Sequence, residues 1–476
     1  MPSLGRLSGL FYFRLGSESS LTEKQLWHSG QPQLPRTVDL PPEILAMIIS
    51  HLLPPLTPYS RTYMPVLRCR GKPIEPNTDI LYACMVSRAW YAAGIHLLYQ
   101  RIILSTLRQM QKLDRALRLV PATRLLVCEL IFMDEVKGIE RGTVWGWRAW
   151  YRRKLNKREF RKHRDRIRKA SQSILSICPN VYRIYVHFGE PSRKTSLLPF
   201  IVGDSDLGLP LPLQHLFISG SNHVELLNSP IRLRSLTTLN LCRTRISCEF
   251  IEALSTGSRF PHLISLSLIE SVIVANDFDR VMKLFSQITS LRVFQLFNAR
   301  LAFPGGPLFP PFPISCPCPA SLERLALVNS YHELDHAILH WFRSEKLPKT
   351  LRELQISMPY CSLPHIQLPE ELETLMIFLD PFCCAGGGYI STLAHVRRLL
   401  ERNMAVITGA RFKHLELALP PATRDWRYSN WTSSQVMREE RLLQEICDVH
   451  NVELSKSYFG STCLDFYFVS DYVLQQ

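Results

Sequence analysis

Leu236-Thr237-Thr238-Leu239-Asn240-Leu241 sets the frame for most of the chain: apolar, two variable, apolar, one variable, apolar. The frame recurs at Val181-Ile184-Val186, Leu213-Leu216-Ile218, Leu263-Leu266-Leu268 and Leu291-Phe294-Leu296. It continues at Leu322-Leu325-Leu327, Leu351-Leu354-Ile356, Leu372-Leu375-Ile377 and Phe412-Leu415-Leu417. Successive starts lie 32, 23, 27, 28, 31, 29, 21 and 40 residues apart. A unit this short cannot bury its own apolar face, so the copies must stack on one another. Apolar spacing of three and four between copies, at 249–254, 278–285, 334–342 and 392–403, predicts helical returns. The expectation is an irregular α/β solenoid.

In period and pattern this region resembles leucine-rich-repeat proteins. Regular repeats of that kind place asparagine eight positions after the strand start, where its side chain bonds the turn backbone. Here Thr244, Ser271, Ala299 and Ser330 stand there, which predicts irregular coils. Strand side chains alternate, so the residues between the buried positions should face outward on a concave surface. Phe217, Asn240, Ile269, Phe297, Val328 and Met376 are expected to line it and to meet a target protein. The strip as read is nearly uncharged, which suits a protein better than a polyanion. The alternative is that the C-terminal segment, around 436–447, covers part of it.

Upstream, Leu40-Pro41-Pro42-Glu43-Ile44-Leu45-Ala46-Met47-Ile48-Ile49-Ser50-His51-Leu52-Leu53 has a helical pattern, with prolines only where a first turn tolerates them. Residues 54–78 read as an inserted loop. Asp79 is a plausible cap for a second helix through Ile80, Leu81, Cys84 and Met85. Ser87 can cap a third that carries Trp90, Tyr91, Ile95, Leu98 and Tyr99.

The run from Leu40 to Leu45, followed by Ile48, Leu52 and Val86-Ser87-Arg88-Ala89-Trp90, resembles an F-box. That module binds the small Skp-type adaptor of cullin-based ubiquitin ligases, and an α-helical F-box followed by a leucine-rich solenoid is a familiar arrangement. The long 54–78 insertion departs from the family's short link; long surface loops cost little closure entropy. The resemblance implies a receptor without catalysis, which ties a target to the ligase by proximity. It implies adaptor contacts at Leu40, Pro41, Ile44, Leu45, Ile48, Leu52, Val86 and Trp90, unless these merely pack the bundle.

The chain thus divides into a loose arm (1–36), the F-box-like module (37–104), a helical connector with a first irregular repeat (105–180), and the solenoid with its C-terminal cap (181–476). At 476 residues it is too long for one compact core. Net charge is +15, of which residues 148–169 supply +10, from twelve Lys/Arg against Glu159 and Asp165. Arg152, Arg153, Lys154, Lys157, Arg158, Arg161, Lys162 and Arg164 suggest nuclear import, or an acidic partner or nucleic acid; a solvated helix face is the plain alternative. A basic nuclear scaffold without any ligase is therefore the rival reading.

Thirteen cysteines at irregular spacing, with no C-x-x-C pair, predict reduced thiols in the cytoplasm or nucleus. No apolar run is long enough to span a membrane. His332-Glu333-Leu334-Asp335-His336 matches a zinc-protease pattern by spacing, but Leu334, Ile338 and Trp341 would turn the histidines to solvent. Leu339 and Phe342 break the longer form of the motif. No metal, cofactor or catalytic residue is expected.

Overall fold

A computed structural model of the protein describes residues 40–52, 78–104, 106–134, 157–188, 212–219, 235–242, 244–257, 260–269, 271–274, 283–297, 300–302, 318–328, 347–357, 366–379, 388–409, 411–419 and 434–458. The 54–77 insertion, the 148–156 part of the basic segment and the His332–His336 motif lie outside them.

Three helices come first: α1 (Pro42–Ser50), α2 (Thr78–Val86) and α3 (Arg88–Gln100). Pro42 sits in the first turn of α1, where its missing N–H leaves no bond unmade. Ser87 caps α3, its hydroxyl accepting from the Trp90 N–H at 3.3 Å. Asp79 lies within the first turn of α2 and does not precede it. Leu45 and Ile49 of α1, Ile80, Ala83 and Cys84 of α2, and Ala93 and Leu97 of α3 form a small core of their own. Gly94 lets the helices close: a Cβ there would stand 2.6 Å from Cys84 Sγ and 3.1 Å from Ile49 Cδ1.

α3 runs without a loop into β1 (Arg101–Leu104), followed by α4 (Leu107–Leu119), a 3₁₀ turn (Pro121–Leu126), β2 (Glu129–Asp134), α5 (Lys157–Ile177) and β3 (Arg183–Phe188). Next come β4 (His215–Ser219), β5 (Thr238–Cys242), β6 (Arg245–Ser247), α6 (Cys248–Ser255), β7 (Ser265–Ile269), β8 (Val272–Val274), β9 (Val293–Phe297) and β10 (Arg300–Ala302). The chain continues through β11 (Arg324–Val328), β12 (Glu353–Ser357), β13 (Thr374–Phe378), α7 (Gly388–Arg402), α8 (Met404–Ile407), β14 (His414–Leu419), α9 (Ser434–Val449) and β15 (Glu453–Tyr458).

Twelve of these strands form one parallel sheet in chain order, while β6, β8 and β10 pair in a small second sheet beside it. The chain is therefore mixed helix and strand around a long parallel sheet, an arrangement compatible with an α/β solenoid. The three apolar positions of all nine repeat copies enter one core cluster, none more than 5% exposed. The described helices that join this cluster pack on the same face; from α6, Phe250, Ile251 and Leu254 do so. Ser271 takes the place of the absent turn asparagine. Its hydroxyl lies 3.0 Å from the Leu241 and Ile269 carbonyls and accepts from the Thr244 N–H at 3.3 Å.

The sheet is longer than the repeat pattern suggested. It begins at Arg101, inside the region read as the F-box-like module, and ends at Tyr458. Tyr99-Gln100-Arg101-Ile102-Ile103-Leu104 and Val127-Cys128-Glu129-Leu130-Ile131-Phe132 obey the same frame, and Leu104, Leu130 and Phe132 join the main core.

Candidate functional site

The three-helix module is apolar on two sides. One side makes its core; the other is open. Ile44 and Ile48 are 38% exposed, Met47 53%, Met85 73% and Val86 67%, with Leu40, Leu52, Tyr82 and Tyr91 also exposed around them. The four-residue repeat of Ile44, Ile48 and Leu52 and the neighbouring pair Leu45 and Ile49 read as one wide stripe in sequence, yet only the second pair turns inward. Met85, read with Ile80 and Cys84 as one packing face, points out instead. Exposed apolar side chains left over once a core is complete mark an interaction site.

Of the residues that the F-box resemblance singles out, Leu40, Pro41, Ile44, Ile48, Leu52 and Val86 are exposed. Leu45 is 3% exposed, and Trp90 is half-buried against the module's core. Met47, Tyr82 and Met85 are exposed as well; the last two were missed because α2 is apolar nearly all round and its sequence does not tell inside from outside.

α3 ties this face to the sheet. Its Ala93 and Leu97 serve the module, while Ile95 and Tyr99 reach the main core. Burial pushes the Tyr99 hydroxyl up to about 12. At the joint Arg101, opposite Glu129 in register, donates to it at 2.8 Å, and Arg183 donates to the second carboxylate oxygen at 3.0 Å.

The face of the sheet away from the helices differs from expectation. Phe217, Asn240, Ile269, Phe297, Val328 and Met376, expected to stand open to a target, are buried, at 7%, 6%, 1%, 0%, 2% and 4% exposure. The apolar five gather with Cys242, Ala326, Phe378 and Ala418 in a second cluster. Parallel strands sit about 4.8 Å apart, so side chains in the same register pack on one another. Phe297 meets Phe378 edge to face at 6.3 Å. Among the described residues no helix contributes to this cluster; Leu443 and Cys447 of α9 pack in the main core, not here.

Three rows run across this face. The row nearest the strand starts is charged, which the sequence reading overlooked: Arg101, Glu129, Arg183 and His215 at one end, Arg324 and Glu353 further on, and His414 and Glu453 at the other end. Burial, helped by the Arg183 charge, pulls His215 down to about 4. The Glu416 carboxylate 3.8 Å away raises His414, with Glu453 assisting at 3.5 Å against the effect of partial burial. The middle row holds the buried polar residues Asn240, Ser267, Gln295 and Gln355. Ser267 donates to Gln295 Oε1 at 2.7 Å, whereas Asn240 Oδ1, Gln295 Nε2 and Gln355 Oε1 have no hydrogen-bond partner among the described residues.

In the basic segment, Lys157, Arg158, Arg161, Lys162 and Arg164 fall in the first turns of α5, while Arg152, Arg153 and Lys154 lie outside the described residues. Among the described residues no cluster of three or more His, Cys, Asp or Glu could hold a metal ion, and no helix is long and apolar enough to cross a membrane. Compared with known proteins, the chain matches no protein-family model and has no significant match among curated proteins.

Proposed function

We propose that the chain is the substrate-recognition subunit of a cullin-based, SCF-type ubiquitin ligase. The helical module serves as an F-box that docks a Skp-type adaptor, and through it a cullin scaffold. The sheet, read as leucine-rich repeats, holds a protein target. The observation that carries this reading is the open apolar face of α1 and α2, where Ile44, Met47, Ile48, Met85 and Val86 remain exposed after the module has already built a separate core. A partner that covers this face gains roughly 25 cal/mol for each Å² of apolar surface removed from water. The subunit performs no chemistry: it positions its target.

The test is capture by purified Skp-type adaptor. Wild type binds at micromolar concentration; Met47→Glu with Met85→Glu does not, and keeps its melting temperature, since both side chains are more than half exposed. Leu45→Asp is the wrong probe, because it strikes the module's core. Absence of binding by wild type, or equal capture of both proteins, rejects the reading.

A further inference from the structure

We propose that α4 and α5 together form a docking surface for the phosphate backbone of a nucleic-acid duplex. The surface lies on the connector between β1 and β3, apart from the apolar face of the helical module, so it stands or falls independently of adaptor binding.

On α4 the exposed positions Arg108, Gln111, Arg115 and Arg118 recur at three and four, which places them on one stripe. Met110, Ala116 and Leu117 point the opposite way, into the core. On α5, Arg166 and Lys169 are exposed, while Ser171, Ile174 and Leu175 are buried.

The two helices touch through Ser171 with Met110 and through Ser173 with Asp114, and these pairings advance together along both chains. They therefore run side by side in the same direction, and Arg108 stands level with Lys169. Asp114 is the one acid on α4, and Arg118 and Ser173 already engage it.

α4 has four Lys/Arg against one acid and α5 has eight against two, so this helix pair carries +9 of the chain's +15. α5 is 21 residues long, about 31 Å at 1.5 Å per residue.

The side chains on this surface decide between ligands. A protein interface centres on aromatic or aliphatic anchors, and among the described residues the nearest exposed ones, Leu119 and Leu125, stand past the last arginine of α4. A single strand wants aromatic platforms for its bases, and among the described exposed residues of α4 and α5 there is none. The guanidinium forks of Arg108, Arg115 and Arg166, with the Lys169 ammonium beside them, suit phosphate oxygens, and recognition of the backbone alone makes binding indifferent to sequence.

The test follows anisotropy of labelled 20-base-pair DNA and RNA duplexes with the full chain over a salt series. A poly-glutamate arm runs alongside. The variant is Arg108→Gln, Arg115→Gln, Arg166→Gln and Lys169→Gln combined, all at exposed positions. Wild type should bind a duplex with log affinity falling linearly with log salt. The variant's slope should be shallower by roughly 3 to 4, at about 0.9 for each phosphate that is no longer neutralised. The tighter of the two duplexes identifies the natural source. Identical slopes for wild type and variant overturn the proposal, as does binding of poly-glutamate without binding of either duplex.

Discussion

Arg101 and Glu129 face each other across the first two strands of the sheet at 2.8 Å, with side chains 2% and 1% exposed. Glu129 also takes Arg183 at 3.0 Å, so one buried carboxylate balances two guanidinium groups where the helical module meets the sheet. Glu129→Gln should cost about 3 to 5 kcal/mol, because it strands buried positive charge. Urea unfolding measures it. Arg101→Met with Glu129→Leu should recover much of the loss, since the pair is then replaced by apolar volume.

Gly94 reverses an ordinary rule. In a helix interior, alanine for glycine gains up to about 1 kcal/mol. Here the added methyl would sit 2.6 Å from Cys84 Sγ, so Gly94→Ala should instead lose about 1 to 3 kcal/mol. Adding Cys84→Ala should restore the gain, and thermal melts of the two variants give the sign.

His215 makes the protein sensitive to acid. Its native value is lowered to about 4 from an ordinary 6.5, so between these values the unfolded chain binds a proton that the native state refuses. Its contribution is full above pH 6.5 and is lost as pH falls toward 4. His414 has the opposite sign: its raised value stabilises the acid side and fades as pH climbs. His215→Gln should therefore shrink the fall in melting temperature between about pH 6.5 and pH 5. An unchanged fall would contradict the assignment.

Asn403 closes the end of α7 against the approach to β13. Its Oδ1 accepts from the Leu368 N–H at 2.8 Å, and its Nδ2 donates to the carbonyls of Leu399 at 2.8 Å and Ile366 at 3.2 Å. Asn403→Ala leaves buried backbone groups unpaired and should cost about 2 to 3 kcal/mol. Asn403→Asp should do no better, because a carboxylate cannot donate to two carbonyls. Denaturant midpoints decide both.

The apolar frame of Leu236, Leu239 and Leu241 and its copies was legible because each buried position is leucine or a close substitute, and burial follows composition directly. Strands β1 and β2 follow the same frame but stand outside the nine copies; Arg101 and Glu129 hold the variable position that Arg183, Arg324 and Glu353 hold in copies that were read. Only the pairing across the sheet makes those charges tolerable, and pairing is not written in either segment alone. The burial of Phe217 and Phe297 could not be inferred for a similar reason: alternation tells which face a side chain takes, not how closely its neighbours in register on that face cover it. On α1 the spacing showed an apolar helix, but the split between Ile48 outside and Ile49 inside depends on where α3 crosses. That crossing is set by Gly94, whose meaning appears only when Cys84 and Ile49 are brought to it.

α3 passes into β1 with no intervening residue, and that junction has a mechanical result. A linker would let the front of the molecule swivel; a helix that becomes a strand, locked by a buried carboxylate, transmits torque. Whatever grips the front therefore aims the whole sheet at a set bearing. A few glycines spliced between Gln100 and Arg101 should turn this rigid lever into two bodies that tumble separately, a change that rotational correlation times would register.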